Sequence, residues 1–332
     1  MKRQPTFMAT TGSGVGVAEQ AKDGEWSVEY FLEDQDVRCL AADPFNSNIV
    51  YAGTQGNGVL RSADRGRNWE PGGLQGAVVK SLAVSLHEPG VILAGAKPAS
   101  VHSSSDGGRS WSEMEGFRKI PFRWWWFTPA ETPNQAYVQA IAISPEDPEV
   151  IMAGIEFGAV VRSEDGGQTW SGHKPGTLRD CHSLIFHNSD GNWVYQAGGT
   201  GGGASFSQDG GRTWRKAGSG LAKHYGVTCA ADPAEPDVWY VAVAPGPAKA
   251  YGEMADAYLY RAEGGGWKAI GWEDHPMKHM PLSLATDPEV PGSLYAGVLR
   301  GDVWHSPDRG ETWQKMPFQF RGIWRSILLL GR

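Results

Sequence analysis

One eight-residue phrase recurs along this chain of 332 residues at a nearly constant spacing. It reads Ser-x-Asp-x-Gly-x-Thr-Trp, and five close copies are accompanied by a shortened and a degraded one. Repeats of about 40 to 50 residues are typical of propeller blades, each a sheet of four short strands. The phrase therefore predicts an all-β protein, a seven-bladed β-propeller. The closing tryptophans, 42 to 59 residues apart, are Trp26, Trp69, Trp111, Trp170, Trp214, Trp267 and Trp313.

Each repeat carries signals for four strands and the turns between them. An apolar inner strand leads into an acid–proline turn, where proline belongs because it presets φ and cannot donate to a ladder. A second strand ends in Ala-Gly, a third runs into the phrase and a fourth leaves it. The aspartate of the phrase is expected to accept backbone N–H bonds within the hairpin, a structural role. These aspartates are Asp64, Asp106, Asp165, Asp209 and Asp308.

The two chain ends each hold part of a blade. The last inner strand has no second or third strand after it, whereas residues 7–10 and 15–17 are strands without an inner partner. We therefore predict a single domain, 1–332, whose ring is closed by a composite blade from both termini, leaving no open edge. The predicted units are blade one 37–76, blade two 77–117, an insertion 118–135, blade three 136–176, blade four 179–219, blade five 225–271, blade six 280–317, and blade seven 321–332 plus 6–33.

The phrase resembles the Asp-box, or BNR, repeat of β-propellers. That family includes sialidases, glycan hydrolases built from two propellers, a sortilin-type receptor domain and a photosystem II assembly factor. The resemblance spans essentially the whole chain and implies the propeller fold. It does not imply one activity, because a fold of this kind supports many functions.

The resemblance to sialidases implies three arginines around a substrate carboxylate and a tyrosine–glutamate pair. The family's Phe-Arg-Ile-Pro motif has a counterpart at residues 117–121, but with one extra residue and between blades two and three. The blade order therefore departs from the sialidase pattern. The candidates implied are Arg38, Arg325 and either Arg179 or Arg300 for the trio, and Tyr225 or Tyr251 with Glu253 for the pair.

Composition limits the partners and the compartment. The formal net charge of −7 argues against nucleic acid and membrane surfaces as partners. Cys39, Cys181 and Cys229 fall on predicted inner strands and are expected to be buried thiols of a reducing compartment. No apolar leader is apparent near the N-terminus, so a cytoplasmic location is expected. No cofactor is predicted.

Aligned inner strands place one residue of each blade near the mouth of the central channel. Three permanent cations and a histidine in this column would focus a positive potential there. Alternatively, these residues pair with carboxylates of neighbouring blades, or a one-residue slip turns the column toward the blade interfaces. The column is Arg38, Lys80, Gln139, His182, Thr228, Leu282 and Arg325.

Loops on the same face supply further candidates. The insertion 118–135 is unusually long and rich in aromatic residues. Trp124 and Trp126 are expected to stack on sugar rings, aromatic ligands or a protein, or to fold back as a lid. The other ligand-binding candidates in loops are Arg179, His224, Tyr225 and Arg300.

Three functions remain open at this point. The first is binding of a small anionic or polar molecule, a glycan or an acidic peptide at the cationic mouth. The second is a glycosidase-like hydrolase or a lyase, with acid–base groups drawn from His182, His279, Glu156 and Glu253. The third is a protein assembly scaffold. A metal held by His182, His224 and His279 is possible but is not predicted, because no short-spaced ligand motif supports it.

Overall fold

The computed structural model describes residues 5–199 and 201–330. These residues form seven antiparallel sheets, six with four strands and one with three. The predicted all-β fold, a seven-bladed β-propeller, is confirmed. Residues 1–4, 200, 331 and 332, which the predicted domain includes, lie outside the described residues.

The strands follow one another blade by blade. The N-terminal strands are β1 (Thr6–Thr10), β2 (Val15–Gln20) and β3 (Trp26–Phe31). Blades one to three contain β4 (Val37–Ala42), β5 (Val50–Thr54), β6 (Val59–Ser62), β7 (Glu70–Pro71), β8 (Val78–Val84), β9 (Ile92–Lys97), β10 (Ser100–Ser104), β11 (Ser112–Glu113), β12 (Val138–Ile143), β13 (Ile151–Ile155) and β14 (Val160–Ser163). Blades four to six contain β15 (Cys181–Phe186), β16 (Val194–Gly198), β17 (Ala204–Ser207), β18 (Arg215–Lys216), β19 (Tyr225–Ala231), β20 (Trp239–Ala244), β21 (Tyr258–Glu263), β22 (Gly266–Ile270), β23 (Pro281–Thr286), β24 (Leu294–Val298), β25 (Asp302–Ser306) and β26 (Gln314–Gln319). The final strand is β27 (Ile327–Leu330).

Among residues 5–199 and 201–330, helical structure is confined to three short segments. They are α1 (Glu115–Arg118), a 3₁₀ turn (Arg123–Trp125) and α2 (Pro247–Ala250). Within the described part of the chain, no helix has the length and apolar character needed to cross a membrane.

The composite blade closes the ring as predicted. Its sheet has the order β27-β1-β2-β3, so the last strand of the chain is the inner strand and the first three complete the blade. The pairing of β1 with β27 is antiparallel and runs from Thr6 opposite Leu330 to Ala9 opposite Ile327. Both chain ends are thereby held in one sheet.

Seven apolar clusters hold the described blades together, one between each pair of neighbours. The cluster between blades six and seven includes Phe7 and Tyr295, and the one between blades seven and one includes Met8 and Val37. Each sheet thus buries apolar side chains on both faces, which is the main favourable contribution to folding. The three cysteines are buried free thiols in this core.

The repeated phrase folds into a self-contained hairpin, shown here for blade four. Asp209 Oδ1 accepts the backbone N–H of Thr213 at 2.8 Å, and Oδ2 accepts its hydroxyl at 2.6 Å. Ser207 Oγ accepts the N–H of Gly211 at 2.8 Å, and Trp214 Nε1 donates to the Gly211 carbonyl at 3.1 Å. Gly211 has φ +81°, a conformation that favours glycine. Every contact spans at most four residues, so the phrase carries its own turn. The corresponding hydrogen bonds are made by Asp64, Asp106, Asp165 and Asp308.

Candidate functional site

A cavity of about 960 Å³ opens at one end of the ring. Its wall consists of the inner strands together with the loops that join strand four to strand one and strand two to strand three. Because strands alternate in direction, the hairpins formed by the repeated phrase lie at the opposite end of each sheet. Three residues of the insertion, 129–131, also line the cavity.

A β-bulge in the inner strands of blades one to four explains why their column residues reach this cavity. In blades one to four the extra residue of the bulge is Arg38, Lys80, Gln139 or His182, and all four line the cavity. A bulge residue leaves the regular pleat, so its side chain can be aimed away from the neighbouring sheet. The column thus faces the cavity rather than the blade interfaces.

Blade five requires a correction to the alignment. The irregularity in β19 lies between Gly226 and Thr228, so the extra residue is Val227 and not Thr228. Strand β19 begins at Tyr225, two residues earlier than the alignment assumed. Both Val227 and Thr228 line the cavity, as does Leu282 of blade six. This side of the wall is therefore less polar than the column suggested.

The predicted ring of cations is largely neutralised by nearby carboxylates. Lys80 is buried and donates to both carboxylate oxygens of Glu131, at 2.6 and 2.8 Å, and Lys97 approaches the same group at 3.2 Å. Burial lowers the pKa of Lys80 to about 8, although the bonds to Glu131 favour its charged form. Arg38 pairs with Asp36 at 2.6 Å. Carboxylate pairing, the alternative left open by the sequence, applies to both residues.

Arg325 differs from the other cations of the column. Its guanidinium lines the cavity and forms no salt bridge within the described part of the chain. Burial alone would lower its pKa, but the surrounding Tyr251, Tyr137 and Glu156 raise it overall, so the group stays charged. Arg325 is only partly exposed, and a cation in such a position without a direct partner among the described residues attracts an anionic ligand. Arg325 is therefore the cationic centre of the cavity.

A cluster of two carboxyl groups and an imidazole lies in the same wall. His182 Nε2 is 3.4 Å from Asp180 Oδ1 and 3.9 Å from Glu156 Oε2, and all three side chains are almost completely buried. Nδ1 of His182 lies 2.6 Å from the Gly226 carbonyl, to which it donates, so Nε2 is left to face the carboxyl groups.

The cluster changes the pKa of two of its members. Burial raises the pKa of Glu156 to about 7, although the charge of His182 acts in the opposite direction. Burial opposes protonation of His182, but its hydrogen bond with Asp180 and the charge of Glu156 raise its pKa overall. Glu156 is therefore poised to take up or release a proton near neutral pH, as acid–base catalysis requires.

Two tyrosines extend the cluster across the cavity. The rings of His182 and Tyr225 have centroids 4.8 Å apart, and the Tyr225 and Tyr251 hydroxyls share a hydrogen bond. Tyr251 stacks on Trp324 with ring centroids 6.4 Å apart. Burial raises the pKa of both tyrosines, so their hydroxyls remain protonated donors at neutral pH. The tyrosines therefore supply hydrogen bonds to a ligand.

Several predicted site residues lie outside the cavity wall. His279 approaches Glu273 at 3.7 Å instead, and Glu253 is exposed to solvent. Arg300 is exposed, and its carbonyl accepts a bond from Gln319. All three residues lie in loops, and strand spacing alone does not reveal where the side chains of a loop lie. The structure thus places Glu156, His182, His224, Tyr225 and Arg325 together, but not His279, Glu253 or Arg300.

Two tryptophans of the insertion line a neighbouring groove of about 790 Å³. Trp125, Trp126 and Arg179 line this groove, whereas Trp124 is exposed beside it. Trp124, Trp126 and Arg179 therefore do not belong to the central cavity.

The sequence missed two residues of the wall, Glu131 and Tyr137. Glu131 lies in the insertion, where the sequence indicated only the tryptophans as candidates. Its partner Lys80 is distant in sequence. Tyr137 directly precedes β12 and packs under Lys80, with Nζ 4.9 Å from the ring centroid. An aromatic residue directly before an inner strand is the signal that would have identified it.

The three histidines considered as alternative metal ligands, His182, His224 and His279, do not converge, because His279 is outside the wall. The described residues whose donor atoms could hold a divalent ion are Glu156, Asp180 and His182, which lie within 4.8 Å of one another. An ion there would replace the contacts between His182 and the two carboxyl groups.

Comparison with solved structures places the fold among known propellers. A GH74 xyloglucanase from Xanthomonas campestris has a TM-score of 0.63 and 19% identity, over 84% of this chain and 45% of its own. An ancestral GH74 enzyme has a TM-score of 0.64 and 19% identity, over 98% of this chain and 40% of its own. YCF48 bound to D1 peptide has a TM-score of 0.57 and 16% identity, over 85% and 82%.

These likenesses concern the fold alone, because all three identities are low. The chain spans less than half the length of the two GH74 enzymes. No protein-family model matches the chain, and no curated protein matches it significantly. Together with the sheet topology, the comparisons define the chain as a seven-bladed β-propeller protein.

Proposed function

We propose that the central cavity is the active site of a hydrolase or lyase that acts on a carboxylate-bearing substrate. The observation that carries the proposal is the buried Glu156 carboxyl, 3.9 Å from His182 Nε2, in a wall shared with Arg325, which forms no salt bridge with the described residues. A structural ion pair does not require an open cavity of about 960 Å³ beside it. Ligand sites typically combine such a cavity with a few convergent polar groups and a perturbed pKa.

Arg325 would hold the substrate carboxylate. A guanidinium binds a carboxylate through two parallel hydrogen bonds, and the described residues leave it without a competing salt bridge. The Tyr251 hydroxyl lies in the same wall and donates to the bound group. This arrangement orients the substrate relative to the cluster on blades three and four.

Glu156 and His182 would transfer protons. The Glu156 carboxyl, with its pKa near neutrality, exchanges a proton with the reacting bond, and His182 stabilises the carboxylate that results. The bond to the Gly226 carbonyl keeps the imidazole in one orientation. On the opposite side of the imidazole, Asp180 Oδ1 contacts Nε2 at 3.4 Å. The chemistry is an acid–base reaction, hydrolysis or elimination, near the bound carboxylate.

We also propose that the repeated phrase is an Asp-box. This assignment is supported by the recurrence of the serine–aspartate–tryptophan hydrogen bonds in five hairpins, as described for Ser207, Asp209 and Trp214. Within that assignment, the hydrolase or lyase interpretation is favoured over a scaffold because most cations of the mouth are already neutralised.

Turnover of a defined panel tests the proposal. The protein is incubated with glycosides and esters that carry a carboxylate, and with carboxylates that bear a leaving group on the β-carbon, and products are followed by NMR. We expect conversion of at least one class, a loss of kcat of roughly 100-fold or more in Glu156→Gln, and a raised KM in Arg325→Gln.

Glu289→Gln is the matched control, because Glu289 is exposed in a turn at the far end of blade six. Its turnover should equal that of the wild type. Full turnover in Glu156→Gln would overturn the catalytic assignment. A carboxylate that binds through Arg325 and is recovered unchanged would instead identify the cavity as a ligand-binding site.

A further inference from the structure

A second groove adjoins the central cavity on the side of blade three. It has a volume of about 790 Å³ and is formed by the insertion, the loop after β13 and the loop before β15. Phe157 lines both the groove and the central cavity. The two therefore form one continuous surface, and a ligand that leaves the cavity over Phe157 enters the groove.

The groove presents large aromatic faces to solvent. Trp125 is 67% exposed, Phe122 is 71% exposed and Phe157 is 38% exposed. Exposed aromatic residues in such number are unusual unless they contact a ligand or partner. Phe122 and Phe157 also have left-handed backbone, with φ of 62° and 50°, which is rare for bulky residues and concentrates at functional sites.

The insertion is fixed in place, so these faces are preformed. Arg123 donates from Nη2 to the Ala99 carbonyl at 2.5 Å and lies over the rings of Phe117 and Trp126, at 5.5 and 5.9 Å from their centroids. Trp126 packs against the core between blades two and three. A platform held this way loses little conformational freedom when a ligand stacks on it.

The cationic side chain of Arg179 lines the same groove. Arg179 is exposed, and its Nη1 donates to the Gly158 carbonyl at 2.9 Å, which leaves the other guanidinium nitrogens toward the groove. Within the described residues it forms no salt bridge. Exposed aromatic rings beside an available guanidinium can bind a ligand ring that has apolar faces and an anionic group at its edge.

We propose that the groove binds successive sugar units of an acidic oligosaccharide whose reacting unit lies in the central cavity. The pyranose faces stack on Trp125 and Phe157, and a sugar carboxylate pairs with Arg179. This inference rests on the proposed function and names its substrate class: a chain of uronate sugars rather than a single small acid. A small acid would use the cavity alone and would leave the aromatic groove without a role.

Affinity as a function of oligosaccharide length tests the inference. Calorimetric titrations use Glu156→Gln to prevent turnover and oligogalacturonates of one to six units as probes. We expect affinity to increase with length once the chain outgrows the cavity. Adding Trp125→Ala should weaken binding of the hexamer about tenfold or more and leave the monomer unchanged.

Phe127→Ala is the matched control, because Phe127 is 60% exposed, lies in the same insertion and is absent from the groove lining. It should bind every length as its parent does. Arg179→Gln should weaken the hexamer but not a neutral cello-oligosaccharide of equal length. Equal losses in Trp125→Ala and Phe127→Ala, affinity that is independent of length, or preference for the neutral chain would overturn the inference.

The same variants separate this inference from the proposed function. If the hexamer binds through Trp125 but the wild type forms no product, the result supports the groove as an oligosaccharide site and contradicts the proposed enzymatic function. If the wild type converts short uronates and Trp125→Ala converts oligosaccharides of every length as well as the wild type does, the result supports the enzymatic function and contradicts the role of the groove. Selective binding of an aromatic-rich peptide, with no uronate binding at any length, would assign the groove to a protein partner and overturn the inference.

Discussion

The two ends of the propeller use carboxyl groups in opposite ways. At the hairpin end, hydrogen bonds from Ser110 and Ser104 lower the pKa of Asp106 to about 2, so it is ionised at every ordinary pH. At the cavity end, burial raises the pKa of Glu156 to about 7. The difference lies in the surroundings: local N–H and O–H donors stabilise the hairpin carboxylate, whereas the Glu156 side chain is buried beside Asp180 and accepts no such hydrogen bond from the described residues.

This comparison separates structural from functional carboxyl groups in a chain that is rich in both. An ionised, fully hydrogen-bonded aspartate holds a turn and has no capacity for proton exchange. A buried glutamic acid that titrates near neutrality costs stability, and proteins retain such groups mainly where they perform chemistry. The following predictions test that distinction, from the largest effect to the smallest.

Replacing Arg325 with glutamine should abolish most anion binding at the cavity end. Removal of a guanidinium that binds a carboxylate in a buried site typically costs about 3 kcal/mol, or on the order of 100-fold in affinity. Calorimetry with a carboxylate ligand measures the loss. Arg215→Gln, at an exposed position in β18, should bind like the wild type. Equal affinity in the two variants would remove Arg325 as the anchor.

Replacing Glu131 with glutamine should destabilise the fold, because Lys80 would remain buried without its counter-charge. We expect a loss of roughly 2 kcal/mol in the free energy of unfolding, measured by urea denaturation. The control is Glu33→Gln, which breaks the exposed pair with Arg321 and should change stability by less than about 0.5 kcal/mol. Similar losses in both variants would contradict the buried role of the Lys80–Glu131 pair.

Replacing Glu156 with glutamine should stabilise the protein in a pH-dependent way. The folded-state pKa of about 7 exceeds the ordinary value of 4.5, so between these pH values the unfolded chain releases a proton that the folded chain keeps. Wild-type stability therefore falls as pH rises through this window, and the amide avoids that loss. The variant should gain about 1 to 2 kcal/mol at pH 8 and almost nothing at pH 4.

Thermal melts across pH check this prediction, with Glu289→Gln as the parallel control. The control should follow the wild type at every pH. A constant offset between Glu156→Gln and the wild type at pH 4 and pH 8 would mean that the Glu156 carboxyl does not titrate in this range.

Replacing Ser207 with alanine should have the smallest effect on stability. The effect should be confined to the hairpin end. The hydroxyl accepts the Gly211 N–H and donates to Asp209 at 2.8 Å. Its loss should cost about 1 kcal/mol in the free energy of unfolding. Ligand affinity at the cavity should not change, because the hairpin lies at the other end of the sheet. A change in affinity as large as that of Arg325→Gln would break the proposed separation of the two ends.

The sequence predicted the hairpin end in detail and the cavity end in part. The column Arg38, Lys80, Gln139 and His182 was aligned correctly because the inner strands share a bulge at one position. Val227 was missed because β19 starts earlier than its counterparts. The charge of the mouth was overestimated, since the partner of Lys80 is 51 residues away in the insertion.

By itself the sequence determined the number of blades, the closing of the ring by both chain ends and the hairpins of the repeated phrase. The physical reason is that each hairpin is built from contacts within four residues, and their spacing counts the blades. Only the tertiary structure decided that Glu156 of blade three meets His182 of blade four, that Glu131 neutralises Lys80, and that Arg325 forms no salt bridge with the described residues. Those contacts join segments that are distant along the chain, and desolvation in the assembled ring sets their charges.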